Sequence, residues 1–331
     1  MPPERDFNIL VVDDTESMRH SITACLSKEF KVFEASSGIE AINILEEEKI
    51  DLVFTDAIMP GMNGIEIIKL LRSHYPHIRY VLMTGFDVNA FIAIARQEQI
   101  WNILPKTAFM NINFIRSIAR KLLTGEIFGA DKYYPDLISA HTSLCKLHKL
   151  KKTEPLEKNH FYICNVASEE ENSVVSDTVG DILLQNGVPS SYRHVIEELT
   201  SNARLRAPAE REKKYYHSSR VCLATPGYYE LGFGLIDQLV FLSVTDYCGS
   251  MDREEILYRL ERQVTVDPAT GLPVGLTDSH GRGLFISREQ SDHLVFNIEP
   301  GLRTEVISIY NLQSPQQTKA FSIYQVENRI E

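Results

Sequence analysis

Four apolar runs in this chain each lead into polar residues that a buried strand has no use for. Asn8 to Val12 runs into Asp13 and Asp14, Leu52 to Thr55 into Asp56, Tyr80 to Met83 into Thr84, and Ile103 to Leu104 precedes Lys106. Short apolar runs alternating with helix-period stretches are the pattern of parallel strands buried on both faces. Helices are expected from Thr15 to Ser27, Gly38 to Glu48, Asn63 to Ser73, Asp87 to Gln97 and Met110 to Leu123, which gives five strands and five helices in an α/β, doubly wound parallel sheet. Residues that follow the strands then gather beyond one sheet edge. Three carboxylates collected there repel one another unless a cation sits between them, and such oxygen ligands suit Mg²⁺. A hydroxyl and an ammonium across the same pocket suit the oxygens of a phosphoryl group, so one aspartate could act as a nucleophile toward phosphate.

The stretches ILVVDD (Ile9 to Asp14), DLVFTDAIMPGMNG (Asp51 to Gly64) and VLMTG (Val81 to Gly85), with Lys106, resemble the flavodoxin-like receiver domain of response regulators over residues 6 to 124. The resemblance implies that Asp56 accepts a phosphoryl group from a phosphodonor, the receiver catalysing its own modification. It implies further that Asp13, Asp14 and Asp56 hold Mg²⁺ with the Ile58 carbonyl, that Thr84 binds a phosphoryl oxygen and that Lys106 pairs with it. An upstream histidine kinase is the implied donor. Two positions depart from the family pattern. Ile103 stands where a Tyr or Phe is usual, and Pro105 precedes the lysine where a proline normally follows it.

At 331 residues, 44% of them hydrophobic, the chain is long enough for two domains with sizeable cores. A net charge of −11 argues against a broad basic surface for nucleic acid. The five cysteines are scattered without metal or redox spacing and are expected as reduced, mostly buried thiols. No apolar segment of signal-peptide or membrane-spanning length is present, so a cytoplasmic location and no membrane partner are expected.

Residues 125–157 read as a partly helical interdomain linker, with a helix expected from Pro135 to Lys149. The basic run Lys149, Lys151 and Lys152 reads first as a solvated face. His141 and His148 lack the acidic neighbour and the long helix of a kinase phosphoacceptor.

Beyond the linker, His194, Glu198 and Asn202 recur every four residues, which puts them on one helix face. Leu239 to Thr245 is an apolar strand ending on Asp246, Gly249 closes the next turn, Gly281 and Gly283 can bring backbone amides close to phosphate, and GLRTEVISIY supplies Thr304. In this order EELTSNA, TDYCG, GRGLF and GLRTEV resemble the nucleotide boxes of the GHKL ATPase superfamily, closest to anti-sigma-factor serine kinases, over residues 158–312. Residues 313–331 are then a C-terminal tail. The resemblance implies a C-terminal α/β sandwich of the Bergerat type that binds ATP. It implies Glu198 as general base, Asn202 as Mg²⁺ ligand, Asp246 and Thr304 as adenine contacts, Gly249 in the adenine turn, Gly281 and Gly283 as lid hinge, and a mobile lid between Arg253 and Thr277. Implied partners are an anti-anti-sigma (STAS-type) protein or a sigma factor, and a homodimer is left open. The adenine box reads Asp246-Tyr247-Cys248-Gly249-Ser250, with one residue extra before the first glycine and no second one. A non-catalytic, phosphorylation-gated binding module is therefore the alternative to a serine kinase.

Overall fold

In the computed structural model the first five strands are β1 (Asn8–Val12), β2 (Lys31–Ala35), β3 (Leu52–Asp56), β4 (Arg79–Thr84) and β5 (Asn102–Pro105), in the order β2-β1-β3-β4-β5 and all parallel. The described residues are 7–106, 112–130, 137–150, 156–206, 227–277, 282–313 and 319–326. The chain divides into two units, Met1–Ile127 and Phe128–Glu331.

Ile9 through Val12 and Leu52 through Phe54 have no exposed surface, because α-helices cover both faces of a parallel sheet. The helices are α1 (Glu16–Leu26), α2 (Gly38–Glu47), α3 (Gly64–His74), α4 (Ile92–Gln97) and α5 (Ile112–Thr124). Leu10, Val12, Val53, Ile67 and Leu71 share one core cluster with Ala41 and Leu45 of α2. The fourth helix differs from the sequence expectation, since Val88–Phe91 is a 3₁₀ turn and α4 starts only at Ile92. Asp87 tightens that turn by accepting the Asn89 N–H at 3.0 Å, and three-residue spacing turns both Val88 and Phe91 into the core.

The start of α3 sets the loop behind Asp56. Asn63 accepts the Glu66 N–H at 3.0 Å while Glu66 accepts the Asn63 N–H at 2.9 Å, a reciprocal cap that satisfies two orphan amides. Gly64 follows because a Cβ there would collide with the Asp56 carbonyl oxygen and lie 2.8 Å from Thr55 Oγ1.

The second unit carries β6 (Ile138–His141), β7 (His160–Val166), β8 (Tyr229–Ile236), β9 (Leu239–Asp246), β10 (His293–Glu299), β11 (Arg303–Asn311) and β12 (Ala320–Gln325), in the order β12-β10-β11-β9-β8-β7-β6. The β10–β12 and β6–β7 pairs are parallel and the others antiparallel. Its helices are α6 (Leu144–Leu150), α7 (Glu169–Gln185), α8 (Arg193–Arg206), α9 (Arg253–Val264) and α10 (Arg282–Gln290). The Tyr192 hydroxyl lies 2.5 Å from Ser308 Oγ, which lies 2.6 Å from Ser291 Oγ. These bonds place the approaches to α8 and the end of α10 over the face of β11 that bears Thr304, Val306 and Ser308.

Four sequence expectations are corrected here. The helix expected from Pro135 is a strand, β6, followed by the short α6, because pairing with β7 overrides a weak helical pattern. The tail beyond residue 312 contributes β12, whose AFSIY run is buried against β10. The stretch expected as a lid loop begins with α9, capped by Asp252 and anchored by buried Ile256, Leu257 and Leu260. Among the described cysteines Cys25 and Cys164 are buried thiols outside any disulfide, the Cys164 thiol being pushed up to about 12 by burial, whereas Cys248 is disulfide-bonded rather than reduced.

Candidate functional site

The ends of β1, β3, β4 and β5 bring together the residues that follow the first four apolar runs. Ligand oxygens of Asp13, Asp14 and Asp56 lie within 4.8 Å of one another. Asp13 is fully buried and Asp56 only 5% exposed, while Asp14 faces solvent. The Thr15 N–H fixes Asp13 Oδ1 at 2.9 Å, and the Ile58 N–H approaches Asp56 Oδ1 at 3.4 Å. Lys106 Nζ stands 2.7 Å from both Asp13 Oδ2 and Asp56 Oδ2. That ammonium is the ion-pair partner of the buried Asp13 Oδ2, which makes no further hydrogen bond. Three clustered carboxylates against a single ammonium leave negative charge that fits a hard divalent cation such as Mg²⁺. Burial is the main cause that holds the Asp56 carboxyl above its usual range, opposed by the Lys106 hydrogen bond and charge and reinforced by Asp13. Thr84 is buried, its Oγ1 accepts the Phe86 N–H at 2.9 Å, and its carbonyl accepts the Lys106 N–H at 2.6 Å.

In the second unit the strand ends place Asp246 directly opposite Thr304 in the β9–β11 register, on the same sheet face. Both are buried, and Thr304 Oγ1 has no hydrogen-bond partner. Asp246 Oδ1 accepts the Cys248 N–H at 3.0 Å, which folds the turn after β9. Gly249 has φ +57, and a side chain there would strike the Glu299 carbonyl and lie 2.6 Å from Leu302 N, so only glycine fits. Glu198 and Asn202 lie one turn apart on α8, each half-buried, while His194 is exposed. Gly283 opens α10 against the Glu198 carboxylate, where a Cβ would collide with Oε2. Gly281 lies outside the described residues.

The response regulator receiver domain family matches residues 9–113. Over 79 residues, 24% of this chain, the sequence is 38% identical to sporulation initiation phosphotransferase F of Bacillus subtilis (strain 168), covering 64% of that protein. Over 101 residues, 30% of this chain, it is 33% identical to the sensor kinase CckA of Brucella abortus (strain 2308), covering 11% of it. The N-terminal unit carries a response-regulator receiver domain. A solved receiver domain, that of an HD domain-containing protein from Pseudomonas fluorescens Pf-5, is 26% identical over 37% of this chain and 97% of its own, with a TM-score of 0.35. The chain thus spans less than two thirds of each of the two curated relatives.

Within the receiver, Ile103 is fully buried, so the position usual for an aromatic switch is filled by an aliphatic side chain packed into the sheet. Pro105 ends β5 opposite Thr84 and hands the next amide, that of Lys106, to the Thr84 carbonyl. Ile58 and Phe86 stand 51% and 59% exposed just beyond Asp56 and Thr84. In the second unit Arg288 went unnoticed in the sequence. It is fully buried, donates to the Lys319 carbonyl at 2.7 Å and lies over the Phe321 ring, and an arginine in a helix gives no advance sign of such burial. No described helix is long and apolar enough to cross a membrane.

Proposed function

We propose that this chain is a two-component response regulator whose phosphorylation at Asp56 controls a C-terminal ATP-binding output domain of the GHKL type. The observation that carries the first half is the carboxylate cluster with Lys106 reaching both Asp13 and Asp56. An Asp56 carboxylate oxygen attacks phosphorus, the bond from phosphorus to the donor breaks, and its electron pair leaves on the donor, which takes up a proton. Asp13, Asp14, Asp56 and the Ile58 carbonyl would hold Mg²⁺, which would supply the positive charge that lets an anionic nucleophile meet an anionic phosphoryl group. Lys106 and the Thr84 hydroxyl hold the transferred oxygens. A histidine kinase is the physiological donor in this reading.

Support for the output domain is the pairing of buried Asp246 with Thr304, together with Glu198 against Gly283. A buried hydroxyl without a partner beside a buried carboxylate suits an adenine edge, which offers both donor and acceptor. Glu198 then acts as general base, Asn202 as Mg²⁺ ligand, Gly249 in the adenine turn and Gly281 with Gly283 at the phosphates. The output is serine kinase or sequestering activity toward an anti-anti-sigma-type protein or a sigma factor, in a cytoplasmic partner-switching circuit. The engaged state of Asp246 Oδ1, bonded to the Cys248 amide, favours a second reading in which the domain binds partners without turning nucleotide over.

Three measurements on one protein test the Asp56 assignment and separate these readings. Radiolabelled acetyl phosphate with Mg²⁺ should label the wild type and leave Asp56→Asn unlabelled; equal labelling of that variant would end the Asp56 assignment. Calorimetry with ATP·Mg²⁺ on the same protein should show binding, and no affinity into the millimolar range would remove the GHKL reading. Binding without ATP turnover or substrate phosphorylation selects the second reading.

A further inference from the structure

Phe128 and Gly129, the first residues of the second unit, are seated on β11. The Arg303 guanidinium lies 3.7 Å from the centroid of the Phe128 ring, and Arg303 Nε donates to Glu299 Oε2 at 2.9 Å. The Gly129 N–H donates to Glu305 Oε2 at 3.0 Å, an oxygen that also accepts Asn297 Nδ2 at 2.8 Å. Glu305 is 6% exposed, and among the described residues it pairs with no lysine, arginine or histidine. Its charge is therefore held by two neutral donors, and losing one of them is costly in a buried setting.

Arg303 and Glu305 flank Thr304 in the sequence and face the opposite side of the sheet from it. A cavity of about 280 Å³ lies beneath the seat, lined by Phe128, Gly129, Phe161, Gly232, Ser243 and Glu305. The segment can therefore shift without driving atoms into a filled core, whereas the strand it rests on is hydrogen-bonded on both sides. A segment with room beneath it can be seated or lifted, which gives Arg303 and Glu305 of β11 two settings, and two arrangements are what a switch requires. Only Gly125, Glu126 and Ile127 separate the end of α5 from Phe128, with Gly125 at φ +74 turning the chain out of the helix.

We propose that this seat is a latch through which the receiver regulates nucleotide binding: displacement of Phe128 and Gly129 changes the setting of Arg303 and Glu305, and with it that of Thr304 on the other face. The inference rests on Asp246 and Thr304 being the nucleotide contacts. Arg303 and Glu305 are positioning residues that act through Thr304. Coupling of this kind works in both directions, so bound nucleotide must alter the ease of Asp56 phosphorylation by the same factor.

The test uses the full chain, with the affinity for a fluorescent N-methylanthraniloyl ATP measured in Mg²⁺ before and after the receiver is loaded with beryllofluoride. In the wild type, loading should change the affinity by roughly 5- to 150-fold, the usual span of allosteric coupling. In Phe128→Ala and in Glu305→Gln, which disrupt the seat through different atoms, the change should shrink to less than about twofold while nucleotide still binds. A merely structural role would weaken binding equally in both receiver states and leave the ratio intact. Both variants keeping the wild-type ratio overturns the latch, as does a wild type that binds nucleotide with no response to loading. A wild type that binds no nucleotide at all overturns the nucleotide site itself, and the latch with it.

Discussion

Replacing Gly64 by alanine tests how tightly the loop behind Asp56 is built. The added methyl would collide with the Asp56 carbonyl oxygen, with the Asp56 carbonyl carbon at 2.9 Å and Thr55 Oγ1 at 2.8 Å as further obstacles. Two of the three are backbone atoms of the central strand β3, paired with β1 through Thr55 and with β4 through Asp56, so the helix start must move instead. Overpacking of this kind costs ~1–3 kcal/mol. Against it stands the preference of a helix for alanine over glycine, at most ~1 kcal/mol and less at a first-turn position. The net expectation is a loss of ~1–2 kcal/mol, which at a urea slope of ~1–2 kcal/mol/M lowers the midpoint by roughly 1 M. Trp101 is the chain's single tryptophan and lies in the first unit, so its emission reports the unfolding of that unit. Phosphodonor labelling should slow in parallel, since a displacement of 1 Å costs on the order of 100-fold in a positioned reaction. Gly61→Ala is the control: it has φ +76 but open space around it, so it should cost strain without touching labelling. An unchanged or raised midpoint for Gly64→Ala would refute the argument from close approach.

Asp56→Asn should stabilise the receiver at pH 7. Burial raises the carboxyl's pKa on folding, so the stability it confers is full below its unfolded pKa of about 3.9 and is lost as pH rises through the folded value. The Trp101 urea midpoint of the variant should therefore exceed the wild type's at pH 7 and converge with it on acidification; a lower midpoint at pH 7 contradicts the sign. Ile58→Asn should speed decay of the acyl phosphate, because the exposed Ile58 and Phe86 side chains beside the pocket hinder water, and an unchanged half-life would rule out shielding. Thr304→Val should act in opposite directions on two measurements. Removing a buried hydroxyl without a partner should stabilise the free protein by ~1 kcal/mol or more and weaken ATP binding, so a loss of thermal stability in the nucleotide-free variant tells against the orphaned hydroxyl.

Much of the receiver was legible because its signals are local. Each apolar run is a strand buried on both faces, and the residue after it is necessarily at the sheet edge, so Asp13, Asp56, Thr84 and Lys106 could be placed before any coordinates. The split of the fourth helix was hidden because the competing signal is one Asp87 side chain choosing Asn89 over a regular cap. In the second unit the helix bearing Glu198 and the strands bearing Asp246 and Thr304 were legible from period alone. The opposition of Asp246 to Thr304 was not, since strand register is a non-local choice. The same holds for β6 and β12, whose pairing partners lie 22 and 27 residues away when counted from Ile138 to His160 and from His293 to Ala320. Only the partner strand turns such short segments from connector or tail into sheet.

The late position of β12 has a consequence for how the protein is made. All five receiver strands are complete once Pro105 has been synthesised, whereas β10 waits for a neighbour that ends at Gln325. At ~5–20 residues per second, that interval is roughly 10–45 s of translation. During it the receiver can fold on the emerging chain while the larger sheet is still incomplete, and β10, finished at Glu299, presents an unpaired edge for the last roughly 1–5 s. A nascent chain thus passes through a period in which its receiver is complete and its second unit is not.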